Sequence, residues 1–161
     1  MTIQETIRQI SFFDNLNDED VEIIASISVV SKYSGKSILY YESEINKNLL
    51  FLVDGLIKIY KMDKFGNEIF LYHIYKNSMI SELSSIKTND IYCFSNAEFI
   101  EDSVILSVNF EKLHEHFLSK NILTTELIEI LLNKTHQLQC IVNRELVFDA
   151  TAKVAFMINQ D

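Results

Sequence analysis

The stretch LLFLVDGLIKIYKMDKFGNEIFLYHI, residues 49–74, decides the fold. Two runs rich in β-branched and aromatic residues, IKIYKM (57–62) and EIFLYHI (68–74), flank the short polar segment DKFGN (63–67). That composition suits pleated strands. Gly66 supplies the positive-φ position that a tight hairpin loop requires. A second glycine, Gly55, interrupts the apolar run upstream, so residues 48–75 read as consecutive antiparallel strands.

The same character extends outward from about Ser28 to Val108. SVVSKYSGKSILYYESE (28–44) is strand-like and is broken at Gly35, and YCFSNAEFIEDSVILSV (92–108) holds two further strands around the turn Glu101-Asp102-Ser103. Six to eight short strands with little helix between them predict a barrel or jelly roll rather than a parallel sheet. The flanks are helical. Ile3, Ile7 and Ile10 have helical spacing, and NLNDEDVEIIASI (15–27) follows with Asn17 or Asp18 as N-cap and an acidic first turn, which complements the helix dipole. Val21, Ile24 and Ala25 share one face, and that helix is expected to end near Ser28.

Beyond the strands, NFEKLHEHFLSK (109–120) reads as a short helix capped by Asn109. A long helix begins at Thr124 or Thr125. Leu127, Leu131, Lys134, Leu138, Ile141, Glu145 and Phe148 recur in steps of four and three, a heptad seam with two polar interruptions. Packing on its own domain is the ordinary reading of such a stripe, but a helix this long exceeds what a small barrel can cover, so a parallel homodimer is expected. In FDATAKVAFMINQD (148–161) the pattern restarts, with Asp149 as a new N-cap and Val154, Ala155 and Ile158 on a short apolar face.

Composition narrows the function. The 161 residues carry a formal charge of −9, which argues against nucleic-acid binding by this chain itself. No apolar run reaches membrane-spanning length, and the N-terminus lacks the features of a signal peptide, so a cytoplasmic location is expected. Cys93 and Cys140 are far apart and form no CxxC, which disfavours a disulfide or zinc site. With no proline and only three glycines, turns must rely on Asn, Asp and Ser.

Taken in order, these segments resemble the Crp/Fnr family of bacterial transcription regulators, specifically its cyclic-nucleotide-binding-like sensor domain. FFDNLNDEDVEIIA (12–25) resembles the family's entry segment, residues 49–74 its central strands with Gly55 at the strand bend, SELSSI (81–86) its short phosphate-cassette helix, and FDATAKVAFMI (148–158) the hinge into its DNA-binding domain. The resemblance implies a mainly β fold with flanking helices: a cyclic-nucleotide-binding-like β jelly roll over residues 1–123, a dimerisation helix over 124–148, and the start of a DNA-binding domain at 149–161. The winged helix-turn-helix that follows the hinge in the family is absent from these residues, so DNA contact is assigned to a domain outside them. A standalone dimerising module is the other reading.

A cyclic-nucleotide cassette needs close-approach glycines, a glutamate for the ribose hydroxyl, and an arginine with a neighbouring hydroxyl for the phosphate. Glu82 and Leu83 match the family's Glu-Leu, whereas Ser81 and Asn77 stand where it has glycines, and Ser84 follows in the same segment. The arginine and hydroxyl positions fall on Cys93 and Phe94, and no arginine lies between Arg8 and Arg144. The adenine-holding positions of the long helix fall at about Leu138 and Gln139. Desolvating a phosphate without its arginine costs on the order of several kcal/mol, so cyclic AMP is not the expected effector. The effector pocket is therefore assigned to Ser81, Glu82, Leu83, Ser84, Cys93, Phe94, Leu138 and Gln139, with Glu82 able to cap backbone N–H groups of its own loop.

Other sensing chemistries can be weighed from the residues. An Fnr-type iron–sulfur cluster needs cysteines near the N-terminus, and none precedes Cys93. Haem would need an axial ligand from His73, His114, His116, His136, Met62 or Met79, each of which taken singly reads as a packing or surface residue. A haem- or redox-dependent sensor of nitric oxide or oxygen is one alternative, a thiol sensor at Cys93 another, and a cyclic-nucleotide-binding module without DNA-binding function a third. A metal-dependent jelly-roll enzyme is disfavoured because the only His-x-His, His114 and His116, lies in a helical segment. No enzyme activity is expected.

Overall fold

The computed structural model describes residues 1–158, with side chains described through Val147. Two short helices open the chain. Helix α1 (Ile3–Arg8) starts with a capping box in which the Thr2 hydroxyl accepts the Glu5 N–H and the Glu5 carboxylate accepts the Thr2 N–H. A 3₁₀ turn (Ser11–Phe13) leads to α2 (Asp18–Ser26), where Asn17 is the N-cap and accepts the Asp20 N–H at 2.8 Å. Val21 and Ile24 are buried as their spacing predicts, Ala25 is half-buried, and Ser28 already begins the first strand.

Ten strands follow: β1 (Ser28–Tyr33), β2 (Ile38–Tyr40), β3 (Ile45–Asn46), β4 (Asn48–Asp54), β5 (Leu56–Met62), β6 (Glu68–Tyr75), β7 (Ser78–Met79), β8 (Ile91–Tyr92), β9 (Asn96–Phe99) and β10 (Ser103–Asn109). The expectation of six to eight undercounts them because β3, β7 and β8 are two-residue pieces. The strands form two four-stranded sheets, β1-β10-β4-β7 and β2-β9-β5-β6, and a small β3-β8 ribbon, all antiparallel. This is the expected jelly roll. The β5–β6 hairpin pairs Met62 with Glu68 across its loop, with Gly66 at φ 82°, and a bulge interrupts its register between Ile59 and Tyr60.

Alternation along the strands makes two apolar layers. Leu50 and Leu52 of β4, Ile57 and Ile59 of β5, Ile74 of β6, Ala97 and Phe99 of β9 and Ile105 of β10 meet inside the roll with Tyr40, Ile80 and Cys93. The neighbouring β4 residue Phe51 points the other way, where its ring lies 5.2 Å from those of both Phe12 and Phe13. Each such fully buried side chain contributes about 2 kcal/mol.

After β10, helix α3 (Phe110–His116) is capped by Asn109, which accepts the Lys112 N–H at 3.0 Å. A second 3₁₀ turn (Leu118–Lys120) precedes α4 (Thr124–Ile158). Residues 1–124 form one compact unit and those from Thr125 a second. No helix among the described residues is long and apolar enough to cross a membrane.

Two sequence expectations need correction. SELSSI forms no helix; residues 81–86 are irregular. Six residues cannot repay helix nucleation when Ser81 and Glu82 are instead drawn into hydrogen bonds with β4, β6 and the turn before β9. The helix expected to restart at Asp149 does not: α4 passes through that position unbroken, because a good N-cap residue does not end a helix whose i→i+4 ladder continues on both sides. The expected apolar face of Val154, Ala155 and Ile158, and Phe148 of the seam, concern side chains outside the described residues.

Candidate functional site

The centre of the site is Glu82, on the irregular segment between β7 and β8. Oε1 accepts the Ser95 hydroxyl at 2.8 Å and the Tyr72 hydroxyl at 3.2 Å, while Oε2 accepts the Phe94 N–H at 3.0 Å. One carboxylate thus ties β6 to the turn that leads into β9. The backbone group it caps belongs to Phe94, twelve residues on, rather than to its own loop. Its neighbour Ser81 is buried, and the Ser81 hydroxyl accepts the Leu50 N–H of β4 at 2.9 Å. Asn77, in place of a glycine, holds φ at 63°, a left-handed conformation that Asn tolerates better than most residues. That turn therefore keeps its left-handed conformation without a glycine.

Of the residues assigned from sequence, Ser81, Glu82, Cys93 and Phe94 are brought together. Leu83 is half-buried and Ser84 exposed; Phe94 exposes its ring, which packs edge-on against Tyr92 at 4.8 Å, while its N–H turns inward. Leu138 and Gln139 lie exposed on α4. Three residues that sequence reading missed complete the site: Tyr40, Tyr72 and Ser95. Tyr72 could have been found, because it shares the inward parity of Ile74 in β6 and pairs with Ile59.

Electrostatics here are one-sided. Within the roll, no lysine or arginine forms an ion pair with Glu82. Burial first, then the charges of Glu82 and Glu44, push the Cys93 thiol up to about 11. Burial and Glu82 likewise raise Tyr72, and burial with Glu82 and Cys93 raises Tyr40. A thiol held protonated at neutral pH is a poor nucleophile, which disfavours a thiolate sensor at Cys93. Native protein at pH 8 is expected to give one fast equivalent with a thiol reagent, from exposed Cys140, and the second only on unfolding. The same shift has a stability consequence. Below about pH 9 the thiol is neutral in both states; between about 9 and 11 the unfolded chain ionises while the folded one does not. Stability should fall over that window, by on the order of 2 kcal/mol from this group, in urea titrations at stepped pH.

The haem-ligand candidates are scattered. His73 is on β6, its ring beside Phe70 at 4.8 Å, on the strand face opposite Tyr72 and Ile74; His116 and His136 are exposed, His114 half-exposed, and Met62 exposed. Met79 is buried opposite Phe51. None of them belongs to the cluster inside the roll. Among the described residues no group of three or more His, Cys, Asp and Glu could hold a metal ion.

On α4, Leu127 is buried, Leu131, Lys134 and Ile141 are half-buried, and Leu138 and Glu145 are exposed. The most exposed apolar side chains are Ile128, Leu132, Leu138, Val142, Leu146 and Val147. Ile128, Leu132, Val142 and Leu146 follow a second four–three stripe, offset by one residue from the one read in the sequence, with Thr135 and Gln139 between them.

No protein-family model matches the chain. It is 25% identical over 126 residues to the anaerobic regulatory protein of Bacillus subtilis, spanning 78% of this chain and about half (52%) of that relative. Among solved structures, the sensor domain of the transcriptional regulator DNR from Pseudomonas aeruginosa superposes with a TM-score of 0.66 at 15% identity, covering 83% of this chain and 89% of that one. The N-terminal domain of a Streptomyces coelicolor transcriptional regulator gives 0.57 at 17% identity, covering 91% and 94%. The regulatory domain of Toxoplasma gondii PKA, solved with cAMP, gives 0.57 at 13% identity over 71% of this chain and 42% of that one. The ordered strands and these matches converge on one fold: the chain is a cyclic-nucleotide-binding-like jelly roll followed by a long helix.

Proposed function

We propose that the chain is the effector-sensing and dimerisation part of a Crp/Fnr-type DNA-binding transcription regulator that does not answer to cyclic AMP. It forms a homodimer through α4, with DNA contacted by a domain outside residues 1–161. Effector binding in the roll then biases the state of the paired helices. The observation that carries this reading is the exposed apolar stripe of α4. A 35-residue helix is about 50 Å long, and four bulky aliphatic residues repeating along one side of it match what a second copy of the same helix would cover. The net charge of −9 fits a basic, DNA-facing surface outside these residues.

Two rows of side chains are available for the contact, the seam of Leu127, Leu131, Lys134, Leu138, Ile141, Glu145 and Phe148 and the stripe through Ile128, Leu132, Val142 and Leu146. Light scattering on wild-type protein at 50–100 µM (about that range suits weak coiled coils) should return twice the chain mass, and Val142→Asp should return the monomer mass with the roll still folded. A wild-type monomer would sink the dimer. If Ile141→Asp dissociates the protein and Val142→Asp does not, the first row is the contact.

The effector side is tested separately. The pocket is assigned to Ser81, Glu82, Leu83, Ser84, Cys93 and Phe94. Cyclic AMP at millimolar concentration should leave the melting temperature unchanged, because the phosphate would meet Glu82 and no arginine. A dose-dependent rise would restore the cyclic-nucleotide reading. Haem is the second chemistry to be titrated: with no histidine inside the roll, no Soret shift is expected at micromolar haem.

A further inference from the structure

The Tyr40 hydroxyl is the loose end of the site. Tyr40 ends β2 and is 5% exposed; its oxygen is buried and has no hydrogen-bond partner. It sits in the cluster inside the roll with Cys93, within electrostatic reach of Glu82 and Tyr72. Leaving a buried hydroxyl unpaired is costly, and such groups are rare enough in folded proteins to need a reason. Glu82 is open in a complementary way. A carboxylate offers roughly four lone-pair sites, and three are used by Ser95, Tyr72 and Phe94.

We infer that the interior of the roll beside Glu82 takes a small uncharged or cationic molecule, an alcohol, amide or amine on an apolar body, whose polar group pairs with the Tyr40 hydroxyl and the free lone pair of Glu82. This rests on the sensor reading above and narrows it to a ligand class. A hydroxyl, amide or ammonium group donates to the carboxylate, and the first two also accept from the phenol. An anion brings only acceptors, and it brings them to a carboxylate that no cation of the roll offsets. The side chains clustered with Tyr40 and Cys93 are aliphatic and aromatic, Leu50, Ile59 and Phe99 among them with Leu71 packed against them, so a ligand admitted there has an apolar and compact body.

Three probes of one skeleton and different charge test the class: benzyl alcohol, benzylamine and benzoate, titrated at millimolar concentration into the whole 161-residue chain. The readout is the amide resonance of Phe94, whose N–H donates to Glu82. Saturable shifts are expected with the alcohol and the amine and none with benzoate. Tyr40→Phe should weaken the alcohol by about three- to tenfold, the worth of one hydrogen bond, yet melt no lower than wild type, because it deletes a group that has no partner in the free protein. Equal shifts with benzoate overturn the charge selection. Absence of saturation with both the alcohol and the amine overturns the site. A Tyr40→Phe protein that melts several degrees lower overturns the premise, since it shows the hydroxyl already satisfied. Light scattering on the same samples keeps the two readings apart: a dimer that ignores all three probes fails here alone.

Discussion

Gly55→Ala lowers the melting temperature of the jelly roll by roughly 10 °C, equivalent to about 3 kcal/mol for a unit of this size. Two costs combine. Gly55 bends the chain between β4 and β5 at φ 106°, a conformation that an L-residue adopts only under strain of roughly 1–2 kcal/mol. An added Cβ would also lie 2.6 Å from the Cβ and 2.9 Å from the Cα of Ser103, which is buried at the start of β10 and whose hydroxyl bonds the Glu101 carbonyl at 2.8 Å. Backbone cannot swing aside as a side-chain tip can, and overpacking of this kind costs roughly 1–3 kcal/mol. Gly66→Ala is the internal control. Gly66 has φ 82° but nothing within 4 Å of an added Cβ, so it should lose only the strain component. Thermal melts of the two variants side by side separate the contributions; equal losses would show that the close approach to Ser103 does not matter.

Glu82→Ala is the second large effect, and it falls on the site itself. Removing the carboxylate leaves the Ser95 hydroxyl and the Phe94 N–H without an acceptor, while the half-buried Tyr72 hydroxyl is better able to find water. Ser95 is 1% exposed, so its hydroxyl bears the full desolvation cost. A loss of about 3 kcal/mol is expected in urea unfolding. Glu82→Gln keeps an acceptor oxygen and should lose about 1 kcal/mol. Both changes carry a chemical signature that a merely mechanical role would not give. Part of what holds the Cys93 thiol high is the Glu82 charge, so neutralising it must bring the thiol down toward its ordinary value. Cys93 should then react with thiol reagents at lower pH in Glu82→Gln than in wild type. An unchanged pH profile would mean that burial alone sets the thiol.

What was legible in the sequence follows from which interactions are local. The hairpin from Ile57 to Ile74 is written in alternation and one glycine, and the N-caps Asn17 and Asn109 in a single side chain each; all three stand in the structure as read. SELSSI resists local reading because its outcome depends on partners outside it: Ser81 is bound to Leu50 of β4, and Glu82 to Tyr72 of β6 and to residues 94 and 95 of the turn before β9. The altered cassette could be found by position, and its missing arginine by simple absence. Tyr40 could not, because nothing local distinguishes a tyrosine whose hydroxyl is paired from one whose hydroxyl is stranded. The helix face was only half legible. Heptad steps identify an apolar stripe, but Leu127 proves buried within the chain while Ile128 and Val142 are exposed, and a shift of one residue turns the face by 100°.

The pairing of β1 with β10 carries a consequence for how the molecule comes into being. The first strand of the roll is completed by its last, and β10 also separates β1 from β4, so neither β1 nor β4 has its full set of neighbours until residue 109 has joined. A chain emerging from a ribosome therefore has the β5–β6 hairpin available early but cannot close its larger sheet until residue 109 is out. Closure across such a span places refolding in the millisecond-to-second range typical of non-local β topologies. Because the sequence contains no proline, no phase of tens of seconds from peptide-bond isomerisation should follow it.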